Sequence, residues 1–241
     1  MFRSYFTVAV RNLFKRKIST LIQVIGLATG LACCTLVALY FRHELSFDRH
    51  FENGDRIYRV VSDFKDGSRA PTAPWVYASL LKQEIPEIEA VSRLDAKNSP
   101  CIVKAMDDTA AVPYLEWTGY WVDPNFFDLF SFHFILGDRK TALSAPNTIV
   151  LSAEVAQRLF HGVYPIGKRV RAGNTEYTVT GVFRQDGPDH LAAGFFASNN
   201  STGIREALTK ITNWVSDPNY YTYLRLRPGA DVRQVGDKLH V

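Results

Sequence analysis

His43, Glu44, Asp48 and His50 stand close together in the segment RHELSFDRHF, and imidazole and carboxylate groups at such short range are the raw material of a metal site. Their spacing matches no established ligand signature, however. The run mixes both signs of charge as a solvated collar does, and it is read here as a collar. Other chemistry is missing as pattern. There is no Gly-rich loop ending in Gly-Lys-Ser/Thr to cradle nucleotide phosphates, no G-x-S-x-G elbow and no H-E-x-x-H pair. His133, His161, His190 and His240 have no nucleophile or ligand partner beside them in sequence, although a triad drawn from distant residues stays open. Cys33 and Cys34 lie in an apolar run, where they read as small apolar residues, and Cys101 has no cysteine after residue 34 with which to pair. The expectation is a chain that is not an enzyme, with no metal and no cofactor of its own.

The elements that carry these residues begin with that apolar run. From Ile18 to Phe41 no side chain is charged and only Gln23 is strongly polar. As a helix this stretch reaches about 36 Å at about 1.5 Å per residue, enough to cross a hydrocarbon core of about 30 Å. A cleaved signal peptide would have a shorter apolar core and a small-residue cleavage site. A lipoprotein signal fails on the residues before both cysteines: GLAC puts Gly30 at the aliphatic position, and LACC puts Cys33 where a small residue belongs. A retained transmembrane helix over 18–41 is therefore expected. Arg3, Arg11, Lys15, Arg16 and Lys17 precede it with no acid among them. By the positive-inside rule the N-terminus is then cytoplasmic and the body extracytoplasmic. Removing those five from the 28 basic residues leaves 23 against 24 acids, so nothing in the body's charge points to nucleic acid.

Two features of the membrane segment concern partners. Residues 1–17 place Phe2, Phe6, Ala9, Leu13 and Phe14 at helical spacing, which suits either an amphipathic helix on the cytoplasmic face or the start of the long helix. Gly26 and Gly30 form a G-x-x-x-G pair on one face, which is either a helix-packing contact or the ordinary glycine content of a membrane helix.

The body alternates strand and helix signals. Residues 56–64 read as a strand, PWVYASLLKQE as a helix stopped by Pro86, and EAVSRLDAK and CIVKAM as short strands. Asp123 with Pro124 reads as a helix cap and first turn, leading into a short helix of Phe126, Phe127, Leu129 and Phe130 that belongs to a core rather than a ligand groove. TIVL reads as a strand, Ser152 as the cap of the next helix, and Gly162 as its left-handed end. KRVRA and EYTVTGVF form a hairpin around Gly173-Asn174, with Tyr177, Val179, Gly181 and Phe183 expected on one face.

VDPNFFDLFSF with LGD, then IVLSAEVAQRLF, YPIGKRV and YTVTGVF, resemble in order and spacing the periplasmic core domain of macrolide-exporter-type (MacB-like) ABC permeases, a family that includes the lipoprotein-releasing and FtsX-type permeases. RNLFKRKISTLIQVIGLATGLA and ELSFDRHFENGDRIYRV resemble the N-terminal part of the same family. The resemblance implies an α+β fold, one transmembrane helix followed by a mixed α/β extracytoplasmic core domain over 42–241. Its first subdomain would span about 42–130 with 214–241, and its second about 131–213. Family members have four transmembrane helices, so the expectation is the N-terminal part of a longer permease.

The function implied is a noncatalytic permease subunit of an ABC-type transporter or mechanotransmission complex in the bacterial inner membrane. It would couple ATP hydrolysis by a cytoplasmic ATPase subunit, which binds the ATP, to extracytoplasmic export or release of a substrate. A homodimer or a pairing with a related permease, contact with membrane lipid and a periplasmic partner protein follow from the same resemblance. Coupling needs a stiff connection between helix and body, which makes Glu44, Leu45, Phe47 and Asp48 the residues expected to carry it. The competing expectation is a single-span extracytoplasmic binding or sensor protein without transport.

Overall fold

The computed structural model of the chain describes residues 11, 15, 17–45, 47–48, 50–95, 100–107, 112–116, 118–187, 190–201 and 219–239. The N-terminal amphipathic segment falls almost entirely outside these residues, as does the stretch 202–218. The chain divides into two compact units, Met1–Phe47 and Asp48–Val241.

The first unit is the long helix α1, Lys17–Glu44, whose apolar stretch is fully exposed. It is the one helix among the described residues long and apolar enough to cross a membrane. The hydroxyls of Thr29 and Thr35 each donate 2.8 Å back to the carbonyls of Ile25 and Leu31, so these polar groups are satisfied within the helix.

The second unit is a mixed sheet flanked by short helices. Its strands are β1 (Ile57–Arg59), β2 (Ser62–Asp63), β3 (Arg69–Ala70), β4 (Ile88–Asp95), β5 (Cys101–Ala105), β6 (Tyr114–Glu116) and β7 (Gly119–Val122). They continue as β8 (His133–Gly137), β9 (Thr148–Ser152), β10 (Arg169–Ala172), β11 (Thr175–Arg184), β12 (Phe195–Ser198) and β13 (Tyr220–Leu226). The helices are α2 (Tyr77–Glu84), α3 (Phe126–Leu129), α4 (Ala153–Phe160) and α5 (Val232–Leu239). The large sheet runs β1-β13-β4-β7-β12-β9-β11-β10-β5-β6, with β8 added onto β11, while β2 and β3 pair apart. β9 with β11 and β12 with β7 are parallel, and the other pairs are antiparallel.

Both faces of the sheet centre are covered, which explains why Ile149, Val150 and Leu151 run as consecutive apolar residues. Val150 faces a cluster built on Phe126, Phe127, Phe130, Phe132, Phe183 and Phe196. Ile149 and Leu151 face the opposite cluster under α4, with Val155, Leu159, Tyr177 and Phe195. A third cluster joins α2 and α5 to β4 and β13 through Leu81, Val91, Leu224 and Val235. The Phe126, Phe127 and Phe130 side chains are at most 2% exposed, so this helix is core, each ring contributing about 2–3 kcal/mol through burial.

Four local expectations change. The strand expected over 56–64 breaks at Val60 and Val61 into β1 and β2. Asp123 does not cap α3 with its side chain; Asn125 holds the cap position, and the Asp123 carboxylate is taken by Arg93. The left-handed end of α4 starts one residue early, at His161 (φ 51), and continues through Gly162 (φ 88). Lastly, Phe183 does not share a face with Tyr177 and Val179. The register against β9 shifts between Val179 and Gly181, so the extra residue Thr180 reverses the alternation and sends Phe183 into the aromatic cluster. Thr180 is fixed there by a 2.6 Å bond from its hydroxyl to the Ala142 carbonyl.

Candidate functional site

Residues 48–59 open the second unit, and nearly every turn of this segment is fastened to the sheet or its core. Asp48 takes a left-handed conformation (φ 60), which a non-glycine residue adopts only at a cost. Its Oδ1 accepts the His190 backbone N–H at 3.2 Å and lies 2.8 Å from the His190 ring Nδ1. The other ring nitrogen, Nε2, lies 2.8 Å from the hydroxyl of Tyr223 on β13. Phe51 is buried against Phe130 and Phe132, with ring centroids 5.2 Å away in each case. The Glu52 N–H donates to the Ser131 hydroxyl at 2.6 Å.

Arg56 makes the widest set of contacts. It donates to the Leu226 carbonyl at 2.8 Å, to the Asn53 side chain at 2.7 Å and to Glu89 at 3.0 Å. The second oxygen of Glu89 receives Arg225 at 2.9 Å. Partial burial alone would raise the Glu89 pKa, but the bonds from Arg56 and the charge of Arg225 outweigh it and hold the carboxyl below its usual range. β1 then pairs with β13 through Ile57↔Arg225, Tyr58↔Leu224 and Arg59↔Tyr223. The segment is thus tied to β13 at Tyr223, Arg225 and Leu226.

Beside it lies a cavity of about 360 Å³ that includes Asp48, Arg59, Phe130, His190 and Tyr223 in its lining. Burial pushes the Tyr223 hydroxyl well above its ordinary pKa, against the opposing charge of Arg59, so it stays a neutral hydrogen-bonding group. A larger cavity, about 470 Å³, lies between β1 and α5; Arg59 lines it too, and Asp63 and Arg69 in its lining pair with each other at 2.8 Å. The smaller cavity brings a carboxylate, a guanidinium, an imidazole and a phenol together.

A second fastening lies within the sheet. Between β4 and β7 a single residue pair is in register, Leu94↔Val122. Next to it Arg93 grips Asp123 with Nε at 2.8 Å and Nη2 at 3.2 Å, while the Arg93 N–H donates to the same carboxylate at 2.9 Å. The guanidinium also stacks 3.3 Å from the Trp75 ring centroid and donates to the Trp75 carbonyl at 2.8 Å. Both charged side chains are largely buried, 14% and 10% exposed.

Of the residues expected to carry coupling, Glu44 ends α1, and Leu45 and Phe47 continue from it through backbone bonds to Phe41 and Glu44. Asp48 is joined to a distant residue, His190. Gly26 and Gly30 have open space around their Cα positions. No group of three His, Cys, Asp or Glu residues suited to a metal occurs among the described residues. The parts that sequence reasoning missed are His190, Tyr223, Arg56, Glu89 and Arg225. His190 lies 142 residues from Asp48, and no local pattern announces that pairing.

A membrane-length helix followed by a mixed sheet domain is the plan of a membrane-anchored protein. The chain belongs to the MacB-like periplasmic core domain family, whose profile matches residues 20–240. Among solved structures it is similar to a domain of a protein designated a permease from Porphyromonas gingivalis, with 25% identity, a TM-score of 0.62, and 78% of this chain and 83% of that one covered. The periplasmic region of MacB from Actinobacillus actinomycetemcomitans shares the fold at 14% identity and a TM-score of 0.51, covering 76% and 78% of the two chains. No curated protein matches the sequence. Family membership gives the chain the extracytoplasmic domain of a MacB/FtsX-type ABC transporter permease.

Proposed function

We propose that the chain couples ATP hydrolysis by a cytoplasmic ABC ATPase to export or release of a substrate outside the bacterial inner membrane. The N-terminus is cytoplasmic, α1 spans the membrane, and the ATPase moves the helix. The observation that carries this reading is the fastening of residues 48–59: Asp48, Phe51, Arg56 and β1 tie the first residues of the body to β13 and the aromatic core. A displacement entering at residue 48 is then delivered to the sheet rather than absorbed by a loop. The body works as two parts, about 42–130 with 214–241 and about 131–213, which meet where β7 pairs with β12 and β5 with β10. The permease acts as a homodimer or beside a related permease, with Gly26 and Gly30 offering a close helix contact, and it meets membrane lipid and a periplasmic partner protein.

The test is a flexible Gly/Ser insertion at position 46 in the assembled complex. Transport is expected to disappear while ATP hydrolysis continues largely unchanged; transport at the original rate would overturn the reading. The 360 Å³ cavity with its convergent polar groups favours a second reading, an extracytoplasmic binding or sensor protein without transport. Purification of the intact protein from its own membrane separates the two, since only the permease brings an ABC ATPase with it.

A further inference from the structure

We infer that His190 is a positioning residue, a two-sided latch that holds Asp48 onto Tyr223 of β13 and so makes the first residues of the body rigid with the sheet. Its importance to coupling rests on the permease reading above; its action as a latch does not. Three observations converge on it. Asp48 sits in the left-handed region (φ 60), so this backbone needs contacts that compensate its cost, and its carboxylate meets His190 through both the backbone N–H and the ring. The His190 ring is itself held, with Nε2 at the Tyr223 hydroxyl and its face tilted at 5.6 Å from the Tyr223 ring. The Phe130 ring closes the other side at 6.2 Å.

The imidazole is the right tool because its two nitrogens point in different directions. With Nδ1–H donated to the Asp48 carboxylate, Nε2 is left to accept the Tyr223 hydroxyl proton. One rigid ring thus joins a residue four positions after the end of α1 in sequence to a strand near the other end of the chain. Asp48 fixes the next turn in the same way, since its carbonyl accepts the Phe51 N–H at 3.3 Å and the Phe51 carbonyl accepts Gly54 at 3.1 Å.

The test uses amide hydrogen exchange of the full chain in lipid nanodiscs. Asparagine places its amide nitrogen where Nδ1 stands and keeps the Asp48 bond; glutamine places its nitrogen where Nε2 stands and keeps only the Tyr223 contact. Exchange at Phe51 and Gly54 is expected to rise about fivefold, the size of one modest hydrogen bond, in His190→Ala, His190→Gln and His190→Asn alike, since each loses at least one side of the latch. Amides of β9 and β11 should not change. A ring acting only by filling space would leave His190→Gln near the original rate, and that result overturns the latch. Exchange at the original rate in His190→Asn shows that the Tyr223 side holds nothing and overturns it too. If all three variants rise while an insertion at position 46 leaves transport intact, the latch stands and the permease reading falls.

Discussion

Arg93 and Asp123 offer a measurement of how firmly the two sides of the sheet are joined. Replacing Arg93 by Ala removes two side-chain bonds to the Asp123 carboxylate, the bond to the Trp75 carbonyl and the stack on the Trp75 ring. What remains for Asp123 is the Arg93 backbone N–H at 2.9 Å, too little for a charge in a side chain only 10% exposed. Breaking a buried pair from one side costs about 3–5 kcal/mol, because the remaining charge is left without its partner. For a body of this size that is a fall in melting temperature of about 6–20 °C, at about 2–4 °C per kcal/mol. Arg93→Met combined with Asp123→Leu should recover most of the loss, since both desolvation penalties vanish together. The assay is urea unfolding of the chain in nanodiscs, followed by tryptophan fluorescence, with Arg93→Met, Asp123→Leu and the double variant forming a cycle beside Arg93→Ala. A loss below about 1 kcal/mol in Arg93→Ala, or a double variant weaker than either single one, would refute the argument that this pair is a buried fastening.

Gly137 has φ 85, and an added Cβ would lie 2.3 Å from the Thr180 carbonyl oxygen in the facing bulge; Gly137→Ala should therefore cost about 2–4 kcal/mol in the same unfolding assay, more than an ordinary strained glycine. Glu87, Asp107 and Asp186 are held below their usual range, chiefly by Lys238, by the Arg169 N–H and by Arg184 respectively. Depressed folded-state values stabilise the body above the unfolded carboxylate range of about 3.9–4.3 and lose that contribution as pH falls further, so the unfolding midpoint should be flat from pH 7 to 5 and drop below about pH 4. Burial, with the nearby Glu116 charge, pushes the Cys101 thiol up to about 11, so alkylation by iodoacetamide at pH 8 should be at least tenfold slower in the folded chain than in urea, and equal rates would contradict it.

The long helix, the hairpin at Gly173-Asn174 and the Ser152 cap were legible because each is decided by neighbours in sequence. Ser152 accepts the Val155 N–H at 3.2 Å, and β10 returns on β11 through Ala172↔Thr175. The aromatic helix was legible as core for the same reason, since Phe126, Phe127 and Phe130 have too much apolar surface to leave in water. Asp123 was misread because a carboxylate before Pro124 fits a cap locally, and only the approach of β4 shows that a buried guanidinium claims it instead. The face of Phe183 was misread because one inserted residue inverts a period-two pattern, and nothing in EYTVTGVF marks Thr180 as the extra one. His190 was invisible as a partner of Asp48 because that pairing depends on how the strands between them stack. The family resemblance carries the overall plan, whereas the fastening of 48–59 exists only in the folded chain.

β13 has a consequence for how the protein is made. It is the strand to which β1 and β4 are both joined, through pairs such as Tyr58↔Leu224 and Val91↔Leu224, yet it lies near the far end of this sequence. During synthesis α1 is ready to enter the membrane long before Tyr220–Leu226 has been translated. Until then β4 has an open edge, and Tyr223, Arg225 and Leu226 are not there to receive residues 48–59. The anchor is thus laid down first and its attachment to the body last, leaving an interval in which an exposed strand edge stands beside a membrane. A protein built in that order depends on its environment to keep that edge unpaired until translation catches up, and its yield should be set by that interval more than by the stability of the finished sheet.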